Sequence, residues 1–350
     1  MSVAAQTPAQ MGRPMRIRVI GAGVAGLTVA FECARAGLDV DVVERRDGPG
    51  LGCSYFAGGM LAPWCEAEGT EKLVLDLGLE SLQFWTKTIP VAKQHGSLLV
   101  APARDQPELA RFARRATGFE WLDPTGIAAL EPDLQGRFGA ALFFPSEAHL
   151  DPRAAMAGLA ARLASFDNVS VRFGMDAALA PESADWTIDC RGLAAQDALP
   201  DLRGVKGEML VLATREIVLS RPVQLLHPRH PVYIVPRGDG RFMIGATMIE
   251  SDEPGRITAR AMLELLGAAY CLHPAFAEAE IVETGAGVRP AFPGNLPKIR
   301  RDGRKLFVNG LYRHGFLLAP ALARRVVKIV LEDAYFPEVM DANPRERQSA

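Results

Sequence analysis

The chain lacks the cysteine pattern of a disulfide framework or a zinc site. Its five cysteines are odd in number and widely spaced, without a CxxC pair. It also lacks an excess of either charge, because 39 basic residues face 41 acidic ones. Such a balance gives no field that would attract nucleic acid. These shortages exclude a disulfide-stapled secreted scaffold, a structural metal centre and a nucleic-acid partner.

Long apolar runs are missing as well. No stretch reaches the length of a membrane span, so we expect no membrane partner. Residues 1–14 are polar and contain proline, without the charged-then-apolar order of a signal peptide. We expect them to form a disordered leader. With 350 residues, 49% of them hydrophobic, the chain can build two domains with a substantial core. A cytoplasmic enzyme is the natural interpretation.

A glycine-rich turn near the beginning of the chain is the most informative feature present. A short apolar strand leads into Gly21-x-Gly23-x-x-Gly26, a helix follows, and Glu44 closes a second strand. In such a unit the glycines permit the tight turn, the approach of a pyrophosphate and close helix packing. The helix N-terminus attracts the phosphates, and the acidic residue accepts ribose hydroxyls. The sequence therefore predicts dinucleotide binding, with an ordinary strand-to-helix turn as the alternative.

The motif does not distinguish NAD from FAD, but the segment after it favours FAD. A long loop rich in glycine and small residues follows Glu44 and includes Gly58-Gly59-Met60. An NAD domain would usually continue straight into another helix and strand. A loop of this kind suits backbone that wraps along an extended, permanently held cofactor. A flexible surface loop is the alternative.

The rest of the chain predicts two interleaved domains. Asp151-Pro152 reads as a helix start, two further strands resume the first sheet, and strands then alternate with loops from residue 207 to 248. The predicted fold class is α/β, with a Rossmann-like FAD-binding domain interleaved with a substrate domain on a mixed or antiparallel sheet. The predicted bounds are 15–80, 151–206 and 283–335 for the FAD-binding domain, 81–150 and 207–282 for the substrate domain, and 1–14 and 336–350 for the tails.

Six motifs occur in order along nearly the whole chain after Met15. They are the glycine turn with Glu44, AGGMLAP from Ala57, YIVPR from Tyr233, IGATM from Ile244, AGVRP from Ala286 and YRHGFLLAP from Tyr312. Together they resemble the D-amino-acid oxidase superfamily, and within it the glycine oxidases of bacterial thiamine synthesis. The combination is specific, whereas any one motif alone would not be.

The resemblance implies an FAD-dependent oxidase of glycine, or of a similar small acid such as sarcosine or a D-amino acid. Hydride transfer to the flavin would give the imine, O2 would be reduced to H2O2, and the glycine imine would supply the thiazole of thiamine. Two alternatives stay open at this point. One is a D-amino-acid dehydrogenase that passes electrons to a quinone or a partner protein, and the other is a non-enzymatic flavoprotein subunit. A homo-oligomer is possible.

The resemblance also implies residue roles. In the family the arginine of AGxRP holds the substrate carboxylate, the tyrosine of YIVPR lies beside it, and an arginine lines the site before the last glycine loop. These roles fall on Arg289, Tyr233 and Arg313. The alternatives are a surface arginine for Arg289, a core or interface tyrosine for Tyr233, and a cation at a helix start or a subunit interface for Arg313. The predicted cofactor-binding residues are Gly21, Ala22, Gly23, Val24, Ala25, Gly26, Glu44, Arg45, Cys53, Ser54, Gly58, Gly59, Met60, Ala177, Gly192, Leu311, Tyr312, His314, Gly315, Phe316 and Leu317.

The chain departs from the family pattern at three places. Gly285 stands where a tryptophan usually precedes AGxRP, which predicts a roomier pocket and turnover of sarcosine or D-alanine at rates comparable to glycine. His314 replaces the usual asparagine and also bears on pocket size. Lys298-Ile-Arg-Arg301 replaces an apolar residue and a glycine after a turn, and we expect it to affect only the surface.

Overall fold

The computed structural model describes residues 13–66, 72–179, 184–226 and 231–341. Residues 1–12 and 342–350 of the predicted tails lie outside these ranges. The strands are β1 (Arg16–Ile20), β2 (Asp39–Val43), β3 (Met60–Leu61), β4 (Ser97–Val100), β5 (Glu120–Leu122), β6 (Ala141–Phe144), β7 (Ala148–His149), β8 (Val169–Arg172), β9 (Trp186–Asp189), β10 (Arg203–Ala213), β11 (Val223–Leu225), β12 (Val232–Gly238), β13 (Arg241–Gly245), β14 (Ile249–Glu250), β15 (Glu280–Ala291), β16 (Lys298–Asp302) and β17 (Lys305–Asn309). The helices are α1 (Val24–Arg35), α2 (Pro63–Glu66), α3 (Lys72–Gln83), α4 (Gln106–Ala113), α5 (Pro124–Leu130), α6 (Pro152–Leu163), α7 (Ala259–Leu272) and α8 (Gly315–Glu332).

A six-stranded sheet in the order β16-β17-β9-β1-β2-β8 forms the first layer. Its strands pair in parallel except β16, which is antiparallel to β17. The central residues of β1 and the last four of β2 are buried, as expected for parallel strands covered by helices. Helix α1 packs against α8 and α6, and all three contribute to the same hydrophobic core. The predicted Rossmann-like sheet is confirmed.

A nine-stranded sheet forms the second unit, in the order β14-β10-β13-β12-β11-β4-β6-β5, with β15 paired to β10. Strands β11 and β4 pair in parallel and the other pairs are antiparallel, so the sheet is mixed, as predicted. Its own core includes residues of α7 that pack against the sheet. A turn of three residues with positive φ, at positions 238–240, joins β12 to β13.

Two long strands of the larger sheet lie next to the points where the chain passes between the two sheets. Strands β10 and β15 pair along their length and belong to the larger sheet. The predicted domain boundaries at 206/207 and 282/283 fall inside these strands. We therefore propose that the domains exchange at the strand ends, near residues 202 and 292. The predicted helix start at Asp151 is confirmed, because its carboxylate accepts hydrogen bonds from the N–H groups of Arg153 (2.8 Å) and Ala154 (2.9 Å).

Over the described ranges, no helix combines the length and the apolar character needed to cross a bilayer. All five cysteines fall within those ranges and are free thiols.

Candidate active site

The glycine turn leaves no room for side chains at two of its positions. Gly21 has φ +100°, and a Cβ there would lie 2.7 Å from the carbonyl oxygen of Cys190. A Cβ on Gly26 would lie 1.8 Å from the carbonyl oxygen of Gly21. Gly23 is the N-cap of α1 and has no side chain. No carboxylate or hydroxyl of the cap residue therefore covers the N-terminus of the helix. This is the arrangement that accepts a phosphate group.

Glu44 lies at the end of β2, buried next to the turn. Its Oε2 accepts a hydrogen bond from the N–H of Ala22 (2.8 Å) and its Oε1 from the N–H of Arg46 (2.9 Å). The loop after β8, which contains Ala177, donates a backbone N–H to the Glu44 carbonyl (3.0 Å). Arg45 is exposed. The structure therefore places the acidic residue against the glycine turn, where the sequence predicts it.

The loop at 53–60, which we call the cofactor loop, lies beside the glycine turn. The turn, the start of α1 and this loop together form a cradle for the predicted cofactor. The hydroxyl of Ser54 accepts a hydrogen bond from the N–H of Val24 (3.2 Å) and so ties the loop to the start of α1. Gly58 faces the larger sheet, since a Cβ on it would lie 2.6 Å from the ring of Tyr233. Gly59 has φ +72°, and Met60 follows it in β3.

Sequence reasoning missed Arg237, which fixes this loop. Its guanidinium donates hydrogen bonds to the carbonyl oxygens of Leu150 (2.6 Å), Ala57 (3.1 Å) and Gly58 (2.9 Å). Arg237 is the last residue of the YIVPR motif, so a signal was present in the motif. Its contacts lie 87 to 180 residues away along the chain, and no local pattern indicates them.

The segment before α8 closes the cradle. A Cβ on Gly315 would lie 3.2 Å from Cγ1 of Val24, so α8 begins next to the beginning of α1. Leu311, Phe316 and Leu317 are buried, and the Phe316 carbonyl accepts a hydrogen bond from the Trp85 indole (2.7 Å). The Gly192 carbonyl accepts one from the Asn309 amide (2.9 Å), which brings the loop after β9 to the same edge. Two helix N-termini, a buried carboxylate and glycines that exclude Cβ atoms fit the phosphates and ribose of FAD.

Tyr233 and Arg289 lie on one face of the larger sheet. In register, Tyr233 is opposite Gly245, Gly245 opposite Met209, and Met209 opposite Gly285. Residues directly opposite each other lie on the same face of a sheet. Arg289 comes four residues after Gly285 in β15, so its side chain lies on that face as well. Burial raises the pKa of the Tyr233 hydroxyl, against the effect of the nearby Arg289 charge, so this hydroxyl stays a protonated donor at neutral pH.

Arg313 lies at the same site, but its charge is already paired. Its Nη2 forms an ion pair with Oε2 of Glu66, and the Nδ1 of His314 lies 3.9 Å from that oxygen. Although burial acts in the opposite direction, Arg313 and His314 together lower the pKa of Glu66 below its ordinary value. Burial lowers the pKa of His314 to about 4, so this imidazole is neutral at pH 7. Within the described ranges, no carboxylate forms an ion pair with Arg289, which leaves its charge free for a ligand.

The space beside Gly285 is filled, so the prediction of a roomier pocket is wrong. A Cβ on Gly285 would lie 2.4 Å from Cδ1 of Phe56 and 3.1 Å from Sδ of Met209. Phe56 ends a short helical turn, 53–56, that packs on β15. Gly287 permits this packing, because a Cβ on it would already lie 3.3 Å from the Phe56 ring. An aromatic ring from another part of the chain therefore occupies the place that Gly285 leaves.

Glu147 is a fully buried acid behind α2. Its Oε1 accepts a hydrogen bond from the N–H of Cys65 (2.8 Å), and the Ser97 hydroxyl bonds to its Oε2. Burial raises the pKa of Glu147 from 4.5 to about 8, against the opposing hydrogen bond from Ser97. Because the folded-state pKa is above the unfolded one, the carboxyl lowers the free energy of unfolding as the pH rises from about 4.5 towards 8.

We expect Glu147→Gln to raise the melting temperature, and to raise it more at about pH 8 than at about pH 5. Glutamine keeps an acceptor for Cys65 and a partner for Ser97 but carries no charge to desolvate. The gain in unfolding free energy grows by at most about 1.4 kcal/mol per pH unit. Thermal unfolding across this pH range measures it, with the exposed Glu120→Gln as control. A difference in melting temperature that does not vary with pH would contradict the assignment.

The chain is similar to known proteins along most of its length. The family model for FAD dependent oxidoreductases (DAO) matches residues 16–329. A Rhizobium etli protein named as a thiamine biosynthesis oxidoreductase, ThiO, is 57% identical over 93% of this chain and 99% of its own length. A glycine oxidase of Pseudomonas aeruginosa is 30% identical over 90% of this chain and 94% of its own.

Solved structures show the same fold. The crystal structure of glycine oxidase from Geobacillus kaustophilus superposes with a TM-score of 0.78 at 22% identity, covering 94% of this chain and 99% of that one. The family match extends from the first strand of the smaller sheet to the last turns of α8. The chain therefore belongs to the DAO family of FAD-dependent oxidoreductases.

Proposed function

We propose that this enzyme oxidises glycine, or an amine-bearing acid of similar size, to its imine and passes the electrons to O2, giving H2O2. The observation that carries the proposal is the Arg289 guanidinium beside Tyr233, which forms no ion pair with any carboxylate of the described ranges and lies on the sheet face against which residues 53–58 pack. The similarity to the Rhizobium etli protein supports a role in thiamine synthesis, where the imine would supply the thiazole.

In this proposal Arg289 binds the substrate carboxylate. Its planar fork can donate two parallel hydrogen bonds, which fixes a small acid in position as well as in charge. Tyr233 adds a hydroxyl donor, and its ring lies against Gly58 of the cofactor loop. A carboxylate held between these groups has its α-carbon next to the cofactor cradle. FAD, when bound, supplies the hydride acceptor of the reaction.

We propose that Arg313 lines the pocket, as the resemblance implies, but as one half of an ion pair. Its charge is balanced by Glu66, and His314 beside them is neutral, so this wall carries little net charge. We propose that the Arg313–Glu66 pair borders the pocket and that Arg289 alone provides the charge for the carboxylate. The N-terminus of α8, which begins at Gly315, adds the positive end of a helix dipole at the cofactor side.

Assays of the purified protein in air test the proposal. We expect oxygen consumption and equal release of H2O2 with glycine, and no turnover of acetate, which has no amine. The same assay without O2 but with a soluble quinone tests the alternative acceptor. Turnover with the quinone alone would replace the oxidase by a dehydrogenase. An absence of turnover with either acceptor would favour a non-enzymatic flavoprotein subunit.

We expect Phe56→Ala to widen the substrate range. The ring fills the place beside Gly285, and its removal leaves room for an N-methyl or Cα-methyl group. One methylene of room changes discrimination by about 1–3 kcal/mol, so kcat/KM for sarcosine and D-alanine relative to glycine should rise about tenfold or more. Steady-state rates measure the ratio, with the exposed Phe173→Ala as control. An unchanged ratio would show that Phe56 does not limit substrate size.

A cytoplasmic location and a homo-oligomeric state stay predictions. Cell fractionation and size-exclusion chromatography with light scattering would test them.

A further inference from the structure

The geometry points to Gly207, with Glu208 and Thr247, as positioning residues for the Arg289 guanidinium. This inference rests on the proposed function, since it assigns the residues that set up the carboxylate-binding group. None of the three contacts the substrate in this proposal. They act by fixing where the Arg289 guanidinium lies and which way its donors point.

Gly207 provides the place where the guanidinium lies. Arg289 is opposite Val205 in the β10–β15 pair, and Gly207 is opposite Gly287, so Arg289 reaches Gly207 diagonally on the same face. A Cβ on Gly207 would lie 2.1 Å from Nη2, 2.3 Å from Cζ and 2.5 Å from Nη1 of Arg289. Any side chain at position 207 would occupy the volume of the guanidinium itself.

Thr247 provides the contact that orients the guanidinium. Nη1 of Arg289 donates a hydrogen bond to the Thr247 carbonyl at 3.1 Å. Thr247 is held in turn by Glu208, the residue that follows Gly207 in β10. The Glu208 N–H donates to the Thr247 hydroxyl (2.9 Å), and the Thr247 N–H donates to the Glu208 carbonyl (3.2 Å).

Glu208 anchors this unit. Its side chain is fully buried, and its Oε1 forms an ion pair with Nζ of Lys206 at 3.2 Å. It also accepts a hydrogen bond from the N–H of Thr258 (3.0 Å). Because side chains alternate along a strand, Lys206 and Glu208 lie on the face opposite to Gly207. Lys206, Gly207 and Glu208 thus act from both faces of β10. Gly207 leaves room for the guanidinium on one face, and the Lys206–Glu208 pair on the other face anchors the residue that holds Thr247.

The arrangement matters because two-pronged recognition of a carboxylate depends on geometry. An arginine that is free to rotate keeps its charge but presents its donors correctly only part of the time, which weakens substrate binding and orientation. At Gly207 an added methyl group would push aside only the end of a flexible side chain. The fold and the FAD cradle would be left unchanged, whereas the position of the guanidinium would not.

The first test is Gly207→Ala. We expect at least a tenfold loss of kcat/KM for glycine, mainly through KM, with unchanged FAD content and melting temperature. Acetate binding, followed by its perturbation of the flavin spectrum, should weaken in parallel. Gly139→Ala, where no atom lies within 4 Å of the added Cβ, is the matched control and should behave as the unmodified enzyme.

A double-mutant cycle with Arg289→Ala separates the inference from the proposed function. In the Arg289→Ala background, Gly207→Ala should cause no further loss of acetate binding. If Arg289→Ala itself keeps activity and acetate binding, the proposed carboxylate clamp fails. If Arg289→Ala loses both while Gly207→Ala keeps both, the clamp stands and the positioning role of Gly207 is overturned. Equal losses from Gly207→Ala in both backgrounds would also overturn it, because the glycine would then act through the fold.

Thr247→Val is a second variant that adds no volume over Gly207. It removes the hydroxyl that accepts from Glu208 and should weaken acetate binding in the same direction by a smaller factor. It tests the same role if Gly207→Ala does not fold. Unchanged acetate affinity in a folded Thr247→Val protein would contradict the anchoring role of Glu208 and Thr247.

Discussion

Replacing Arg289 with lysine is expected to lower kcat/KM for glycine by about 2–4 kcal/mol, which is roughly 30- to 1,000-fold. Lysine keeps the charge but cannot present two parallel donors to a carboxylate. It would also lose the fork that lies over Gly207 while donating to the Thr247 carbonyl. FAD content should stay the same, because Arg289 is on the substrate sheet.

Arg313→Lys is the matched control for this prediction. Lysine can still pair with Glu66, so the wall keeps its charge balance and the loss of kcat/KM should be clearly smaller than for Arg289→Lys. Parallel steady-state kinetics of the two variants decide between the two arginines. Near-normal kcat/KM for Arg289→Lys together with a large loss for Arg313→Lys would move the carboxylate clamp to Arg313.

Replacing Gly26 with alanine is expected to remove FAD from the protein. The added Cβ would lie 1.8 Å from the Gly21 carbonyl oxygen, which belongs to the backbone and cannot turn aside as a flexible side chain could. The turn cannot move away easily, because the Gly21 N–H donates to the Val43 carbonyl at 2.8 Å. We expect a loss of at least about 3 kcal/mol in unfolding free energy, the upper part of the range for overpacking. The start of α1 would shift away from the phosphate site.

Flavin content per chain and the melting temperature measure this effect. Gly267→Ala is the control, because it places a methyl group on α7 with no atom within 4 Å. It should be neutral or stabilising by up to about 1 kcal/mol, as for glycine to alanine within a helix. A Gly26→Ala protein with a full complement of FAD would contradict the role of this turn.

Features that depend on neighbouring residues could be predicted from the sequence. The glycine turn, α1 and Glu44 form one continuous stretch in which each residue type has a local physical reason. The roles predicted for Arg289 and Tyr233 have another source, namely the family resemblance that the six motifs carry together. What the sequence could not show is that Glu44 is held by the N–H groups of Ala22 and Arg46, which is a matter of three-dimensional packing.

Contacts between distant parts of the chain account for what was missed. Glu66 pairs with Arg313 across 247 positions, and a glutamate in a four-residue helix gives no local sign of such a partner. Phe56 fills the space at Gly285 by the same kind of long-range packing. A missing side chain indicates an open pocket only if nothing else reaches it, and that condition is decided by the fold.

The measurement that tests the central claim most directly is the visible absorbance of the purified protein mixed with glycine in the absence of O2. The account predicts that glycine bleaches the yellow colour of the bound flavin. Admitting air should restore it with release of an equivalent amount of H2O2, and Arg289→Lys should bleach far more slowly. A flavin that stays oxidised with glycine, sarcosine and D-alanine alike would contradict the account.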